Sequence, residues 1–182
     1  MEFIPSRIEG LWVIVPKIHG DERGYFFESF RLEEFKKMTG FQGDFLQDNE
    51  SMSSKGVLRG LHMQRPPMAQ AKLVRVVQGA VLDVAVDMRL NSPTYGQSEL
   101  VLLSAENKRQ FFVPEGFAHG FLTLEDDTIF QYKCSNYYSA NHETGVLWND
   151  AKLNINWNFP NPLISKRDAE LESFTTFDTP FL

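Results

Sequence analysis

The sequence contains very little cysteine: Cys134 is the only one among 182 residues. An intramolecular disulfide is therefore impossible, which excludes a secreted disulfide scaffold and a cysteine-based zinc site and favours a reducing, cytoplasmic compartment. No uninterrupted apolar run approaches the length of a membrane span, and residues 1–20 lack the apolar core of a signal peptide. Basic residues are also few: 18 Lys and Arg stand against 24 Asp and Glu, giving a net charge of −6. We therefore expect a cytoplasmic protein without membrane or nucleic-acid partners.

Aromatic residues, in contrast, are abundant: they make up 13% of the chain and include 16 Phe. Aromatic side chains favour half-buried, pleated surfaces, and the length fits one domain over residues 1–182. Alternating or continuous apolar runs predict strands within residues 57–64, 71–89, 96–114, 118–138 and 145–150. One short helix is predicted at Arg31–Met38, ended by Gly40, and another near Lys166–Ser173. The pattern predicts an all-β sandwich or barrel with a few short peripheral helices.

Two motifs resemble the signatures of cupin barrels. The turn Pro114–Gly116 leads into a strand that contains His119, and a second strand carries Arg59 and His62. Metal-binding cupins place a second His two positions after the first, followed by an acid, whereas this chain has Gln64 and then Lys72. A divalent cation needs deprotonated ligands, and a nearby ammonium would repel it. We therefore predict a cupin without a metal.

The strand that carries His62 must also be irregular. Arg59 and His62 have opposite parity, so a regular strand would direct them to opposite faces. Both can reach one pocket only if Gly60 marks a bulge or a bend.

A longer, ordered set of motifs makes the resemblance specific. It comprises RGYFFE (Arg23 to Glu28), QDNES (Gln47 to Ser51), GVLRGLH (Gly56 to His62), VPEGFAHGF (Val113 to Phe121) and YKCSNYY (Tyr132 to Tyr138). Because these motifs occur together and in this order, the chain resembles the dTDP-4-dehydrorhamnose 3,5-epimerase family from about residue 3 to residue 168. The resemblance implies a homodimeric, cupin-type jelly-roll β-barrel that needs no cofactor. It also implies a nucleotide-sugar substrate: dTDP-4-dehydro-6-deoxy-D-glucose would be converted to dTDP-4-dehydro-L-rhamnose in dTDP-L-rhamnose synthesis.

The resemblance also implies catalytic roles. A ketone at carbon 4 acidifies the hydrogens at carbons 3 and 5, so inversion needs a base, an enolate-stabilising group and an acid. His62 resembles the base, because an imidazole exchanges protons near neutral pH, and Asp168 resembles the acid that orients its ring. Lys72 resembles the cation that holds the oxyanion. Tyr132 resembles the acid that returns the proton from the opposite face.

Further positions resemble the family's substrate-binding residues. Arg23 and Arg59 suit the diphosphate, because guanidinium groups pair bidentately with phosphate oxygens, and Asp83 would orient His119 or His62. The full set of such positions is Arg23, Phe26, Glu28, Gln47, Asp48, Asn49, Arg59, His119, Tyr138, Glu143 and Arg167. In the family the N-terminal strands cross to a neighbouring subunit, so Arg23, Phe26 and Glu28 would serve the partner's site.

Several departures from the family pattern leave alternatives open. Met63, Ala151, Arg167 and the segment 155–160 differ from the usual residues and bear on which sugar is handled. One alternative is an enzyme of the same shape that inverts only carbon 3 or carbon 5. A second is a metal-dependent cupin dioxygenase or isomerase, and a third is a cupin that binds a sugar nucleotide without chemistry.

Overall fold

Strands dominate the structure, a computed structural model that describes residues 1–182. Two short helices accompany them, and neither has the length or apolar character needed to cross a membrane. The elements are β1 (Glu2–Pro5), β2 (Trp12–Val15), β3 (His19–Asp21), β4 (Gly24–Phe26), α1 (Leu32–Thr39), β5 (Gln47–Ser53), β6 (Leu58–Gln64), β7 (Lys72–Gln78), β8 (Ala80–Asp87), β9 (Ser98–Ser104), β10 (Gln110–Val113), β11 (Phe117–Thr123), β12 (Thr128–Cys134), β13 (Glu143–Gly145) and α2 (Lys166–Ala169).

The strands form two facing sheets and a hairpin. One sheet has six strands in the order β1-β2-β10-β7-β12-β5, the other has five in the order β13-β6-β11-β8-β9, and β3 pairs only with β4. All pairings within them are antiparallel. Apart from the consecutive pairs β1–β2 and β8–β9, neighbours in each sheet come from distant parts of the chain, as in a jelly roll. The expected all-β, cupin-type barrel is confirmed.

Apolar side chains fill the space between the two sheets. Val74 and Val76 of β7 and Val81 and Ala85 of β8 belong to one buried cluster there, together with Phe121 of β11. These residues are two or four positions apart within their strands, so they share the inward face. Lys72, His119 and Tyr132 occupy positions of the same parity on β7, β11 and β12, and these polar residues line a cleft.

The five-stranded sheet is also covered on its outer face. Val84, Val86 and Leu122 point outward and pack against Trp157 and Phe177 of the C-terminal segment. Burial on both faces explains why these strands read as continuous apolar runs rather than alternating ones. The same packing holds the C-terminal segment beside β6, which positions α2 at the cleft.

The excess of Phe serves a third cluster, on the outer face of the six-stranded sheet. Phe35 of α1 is 2% exposed and its ring contacts five others, with a centroid distance of 4.9 Å to Phe112. Glu33 and Glu34 lie in the first turn of the helix, and Gly40, with a φ of 75°, caps its C-terminal end. Acidic residues in the first turn and a left-handed glycine at the end suit a helix of this length, and the predicted helix is confirmed.

The sequence pattern missed the first five strands and extended one too far. Strands β1 to β4 are only three or four residues long, which is too short to show an apolar period. Strand β5 has mainly polar residues on both of its faces, so it shows no apolar period either. The strand expected at 145–150 is wrong beyond Gly145, because Val146 makes only an isolated bridge to Glu172. The short C-terminal helix exists, but it ends at Ala169.

The expected irregularity at Gly60 is present. His119 pairs with His62 and Phe121 with Arg59, so two steps along β11 match three along β6. This β-bulge turns Arg59 and His62 toward the same cleft. Gly60 has a φ of 132°, and a Cβ atom on it would lie 2.6 Å from the Cα atom of Gly120.

We expect Gly60→Ala to destabilise the protein more than Gly24→Ala. Both glycines have similar positive φ values, 132° and 126°, but a Cβ atom on Gly24 would meet nothing within 4 Å. Backbone strain of roughly 1–3 kcal/mol applies to both variants, and overpacking adds about 1–3 kcal/mol only at Gly60. Urea unfolding of the two variants measures the difference; equal midpoints at equal m-values would contradict the close approach.

Candidate active site

The open end of the barrel holds a cleft of about 570 Å³. Its walls come from both sheets: His62 and His119 belong to β6 and β11 of one sheet, and Lys72 and Tyr132 belong to β7 and β12 of the other. Antiparallel register brings each pair together: His62 lies opposite His119, and Tyr132 lies opposite Val74, two residues along β7 from Lys72. The cleft therefore brings together proton-transfer groups from two facing sheets.

His62 is held by a buried carboxylate. Its Nε2 atom lies 2.7 Å from Oδ1 of Asp168, whose side chain is 6% exposed. The other carboxylate oxygen, Oδ2, accepts from the backbone N–H of Gly60 at 3.3 Å, and the Asp168 N–H donates to Ser165, the N-cap of α2. Burial acts to raise the pKa of Asp168, but the hydrogen bond and charge of His62 and the other donors outweigh it and lower that pKa. An ionised Asp168 fixes the proton on Nε2 and leaves Nδ1 free to accept.

Lys72 provides an unpaired cation. Its side chain is half-buried and lines the cleft, and its ammonium makes no hydrogen bond or ion pair within the chain. Burial lowers the pKa of Lys72, while Cys134, Glu143 and Asp83 oppose that shift. A desolvated ammonium without a protein partner can stabilise negative charge that develops on a bound molecule.

Tyr132 lines the same cleft from the neighbouring strand. Its hydroxyl has no hydrogen-bond partner in the chain. Burial raises the pKa of Tyr132, Cys134 and Glu143 add to the rise, and Arg59 opposes it. The phenol therefore keeps its proton at neutral pH and can donate it.

A second His–Asp pair lies deeper. His119 Nε2 is 2.8 Å from Oδ1 of Asp83, and both side chains are buried. Burial raises the pKa of Asp83, with His119 and Lys72 opposing, and its Oδ2 atom has no hydrogen-bond partner. The sequence left open which histidine Asp83 orients, and the structure pairs it with His119.

A smaller cleft of about 260 Å³ adjoins the first and shares His62, Lys72 and Tyr132 with it. Four predicted binding residues line this second space: Gln47, Asn49, Tyr138 and Glu143. Arg59, His119, Arg167 and Asp168 line the larger cleft. His62, Lys72 and Tyr132 thus lie where the two spaces meet.

Four predicted site residues lie outside both clefts. Arg23 and Phe26 are in the β3–β4 hairpin and are strongly exposed, Arg23 pairing with Asp21; Glu28 pairs with Arg31. Asp48 points to the opposite face of β5 from Gln47 and Asn49 and pairs with Lys133 at 3.0 Å. Strand alternation explains the position of Asp48, because neighbours in a strand face opposite sides.

The predicted set does not include Ser51, a polar residue of the larger cleft whose buried hydroxyl has no hydrogen-bond partner. Ser51 follows Gln47 and Asn49 at intervals of two on β5, so period-2 alternation within the QDNES motif could have identified it.

The residue that replaces the second metal-site histidine is used structurally. Gln64 donates to the backbone carbonyls of Met68 and Tyr137 and accepts from the N–H of Ser139. No group of three or more His, Cys, Asp or Glu side chains is arranged to hold a metal ion.

The fold and the cleft define a cupin-type barrel with an acid–base site. A family model described as dTDP-4-dehydrorhamnose 3,5-epimerase matches residues 5–176. A relative with that name from Shigella flexneri is 51% identical over 98% of both chains. The chain belongs to the dTDP-4-dehydrorhamnose 3,5-epimerase family and is an isomerase that acts on carbohydrates.

Solved structures agree with this assignment. The dTDP-6-deoxy-D-glucose-3,5-epimerase of Legionella pneumophila, solved in complex with dTDP-4-keto-L-rhamnose, matches with a TM-score of 0.96 and 45% identity over 100% of this chain and 98% of that one. A 3'-monoepimerase of Streptomyces bikiniensis, in complex with dTDP-quinovose, matches with a TM-score of 0.89 and 39% identity over 95% of this chain and 88% of that one. The overall fold is therefore common to enzymes that invert one carbon or two.

We expect Asp168→Asn to lower the free energy of unfolding at neutral pH and much less in acid. The folded-state pKa of Asp168 is lowered, so its ionised form stabilises the fold above about pH 4, the value of a free carboxyl, and this contribution is lost as the pH falls through the folded value. Urea unfolding between pH 7 and pH 3 measures the gap between the two proteins. A gap that does not narrow in acid would contradict an Asp168 that is ionised in the folded protein.

Proposed function

We propose that the chain catalyses cofactor-independent epimerisation at carbons 3 and 5 of dTDP-4-dehydro-6-deoxy-D-glucose, giving dTDP-4-dehydro-L-rhamnose. The observation that carries the proposal is the placement of His62 and Tyr132 on facing sheets of one cleft. Inversion removes a proton from one face of the sugar ring and returns one to the other, so it needs a base and an acid on opposite sides. The family relationship supports the substrate, since relatives carry the name of this activity.

In this mechanism, Nδ1 of His62 takes the proton from carbon 3 or carbon 5. Asp168 holds Nε2 and stabilises the imidazolium that forms. The electron pair moves toward the carbon-4 oxygen, and the unpaired ammonium of Lys72 stabilises the resulting enolate. Tyr132 then donates its proton to the carbon from the opposite face, and solvent exchange restores both groups.

Residues 1–182 would form one epimerase domain. Within it, the predicted binding residues that line the two clefts would hold the nucleotide diphosphate. Arg59 lines the larger cleft, and Gln47, Asn49 and Tyr138 line the smaller one. Because Arg23, Phe26 and Glu28 lie outside both clefts of their own chain, we propose that the hairpin and the residues after it complete the site of a second copy in a homodimer. The strong exposure of Phe26, at 70%, supports this proposal.

Deuterium incorporation from heavy water tests the chemistry. With the wild type, NMR should show deuterium at carbons 3 and 5, and His62→Ala should reduce both by about 10²- to 10⁴-fold, the usual share of a general base. Lys72→Met should slow both by about 10²- to 10³-fold. Tyr132→Phe should still incorporate deuterium but without inversion, because the proton returns from the side of His62.

Lys55→Met, a change of an exposed turn lysine, is the matched control and should exchange as the wild type does. Deuterium at one carbon only would indicate a single-carbon epimerase. Tight binding without exchange would leave a binding protein and disprove the catalytic role.

Mixing two inactive variants tests the shared site. A chain with Arg23→Ala and a chain with His62→Ala each lack one part, but a mixed dimer would contain one intact site. Random pairing of equal amounts should restore about a quarter of the wild-type activity per chain. Denaturing and refolding the mixture allows the chains to exchange; failure to regain activity, with dimers present by light scattering, would place Arg23 outside the neighbour's site.

A further inference from the structure

One carboxylate oxygen joins three elements at the seam between the two clefts. Oε2 of Glu143, on β13, accepts from the hydroxyl of Tyr138 at 2.6 Å and pairs with the guanidinium of Arg167 at 2.5 Å. The Glu143 side chain is 13% exposed, whereas the Arg167 side chain is 55% and Tyr138 is 53% exposed, so solvent partly screens both contacts. We call Tyr138, Glu143 and Arg167 the Glu143 bridge.

The bridge ends on the residue next to Asp168. Arg167 belongs to α2, which has only four residues and one internal cap, from the Ser165 hydroxyl. So short a helix has little stability of its own. The backbone is tied to the barrel at Leu163, which pairs with Val57, and again near Glu172, which pairs with Val146. Between these ties, the Asp168 carboxylate is bonded to His62 and Gly60 of β6, and Arg167 adds an ion pair with Glu143 of the neighbouring strand β13.

Alternative partners for these groups are few. The pKa of Arg167 is raised, first by the Tyr138 hydroxyl and then by Glu143. The neighbouring cation Lys166 is 88% exposed and reaches only Glu170, at 3.8 Å. The two adjacent basic residues of α2 therefore differ: Lys166 points to solvent, whereas Arg167 forms an ion pair with Glu143 of β13.

We propose that Arg167 is a positioning residue. Held by Glu143 and Tyr138, it fixes α2 so that the Asp168 carboxylate keeps its hydrogen bond to Nε2 of His62. An arginine suits this position because its planar guanidinium can meet two oxygen groups at once, whereas a lysine offers a single point charge. The role serves catalysis only if the proposed function is correct, but the contact itself exists without substrate.

The two His–Asp pairs allow a test with an internal control. In protein labelled with ¹⁵N-histidine, the Nε2–H protons of His62 and His119 should each give a low-field signal, assigned by loss in His62→Gln and in His119→Gln. Arg167→Met should accelerate solvent exchange of the His62 proton about tenfold, the change expected when one charge-assisted hydrogen bond is lost from a local opening equilibrium. The His119 proton should not change, because Asp83 lies outside the bridge.

Three further variants sharpen the result. Lys166→Met should leave the exchange rates of both protons unchanged. Arg167→Lys should give a His62 exchange rate between those of the wild type and Arg167→Met. In the double variant Glu143→Gln with Arg167→Met, the His62 proton should exchange no faster than in the faster of the two single variants. Unchanged exchange at His62 in Arg167→Met would overturn the proposal, and so would equal acceleration at both histidines, which would show general loosening. The measurement needs no substrate, so its outcome is independent of whether deuterium is incorporated into the sugar.

Discussion

The hydrogen bonds of the Asp168 carboxylate are the interaction on which the site depends. Its two oxygens join the imidazole of His62 to the backbone N–H of Gly60, so the bulge of β6 and the C-terminal helix α2 are held by one group. A buried carboxylate without such donors would take up a proton. The bulge therefore has two effects: it turns His62 into the cleft and it supplies a donor that keeps the partner of His62 ionised.

The pKa values of the two aspartates in the His–Asp pairs are shifted in opposite directions. Burial raises the pKa of a carboxyl; at Asp168 the hydrogen-bond donors outweigh this effect and lower the pKa, whereas at Asp83 they do not and the pKa is raised. Asp83 also keeps one oxygen without a partner. Burial also lowers the pKa of Lys72, whose ammonium has no partner within the protein. Groups left unsatisfied in this way reduce stability and are expected where a ligand completes the arrangement.

The barrel and much of the site could be predicted because strands with period-2 patterns direct their residues predictably. The bulge at Gly60 was foreseen from the parity of Arg59 and His62, since only an irregular strand brings both to one side. The orientation of Asp48 was missed, although alternation from Gln47 would have indicated it. The bridge from Arg167 to Glu143 was not predictable, because it joins residues 24 positions apart through a loop-rich segment whose path depends on packing against the outer face of a sheet.

Facing sheets also bear on the number of carbons that are inverted. In the gluco configuration, the hydrogens of carbons 3 and 5 project from the same face of the ring, so one base on β6 and one acid on β12 can serve both carbons. The acid–base set alone does not therefore separate double from single epimerases. If the proposed mechanism is correct, the difference would arise from how far the ring can shift between His62 and Tyr132 while its oxygen stays on Lys72. Residues that fix the ring, rather than those that carry protons, would then decide that outcome.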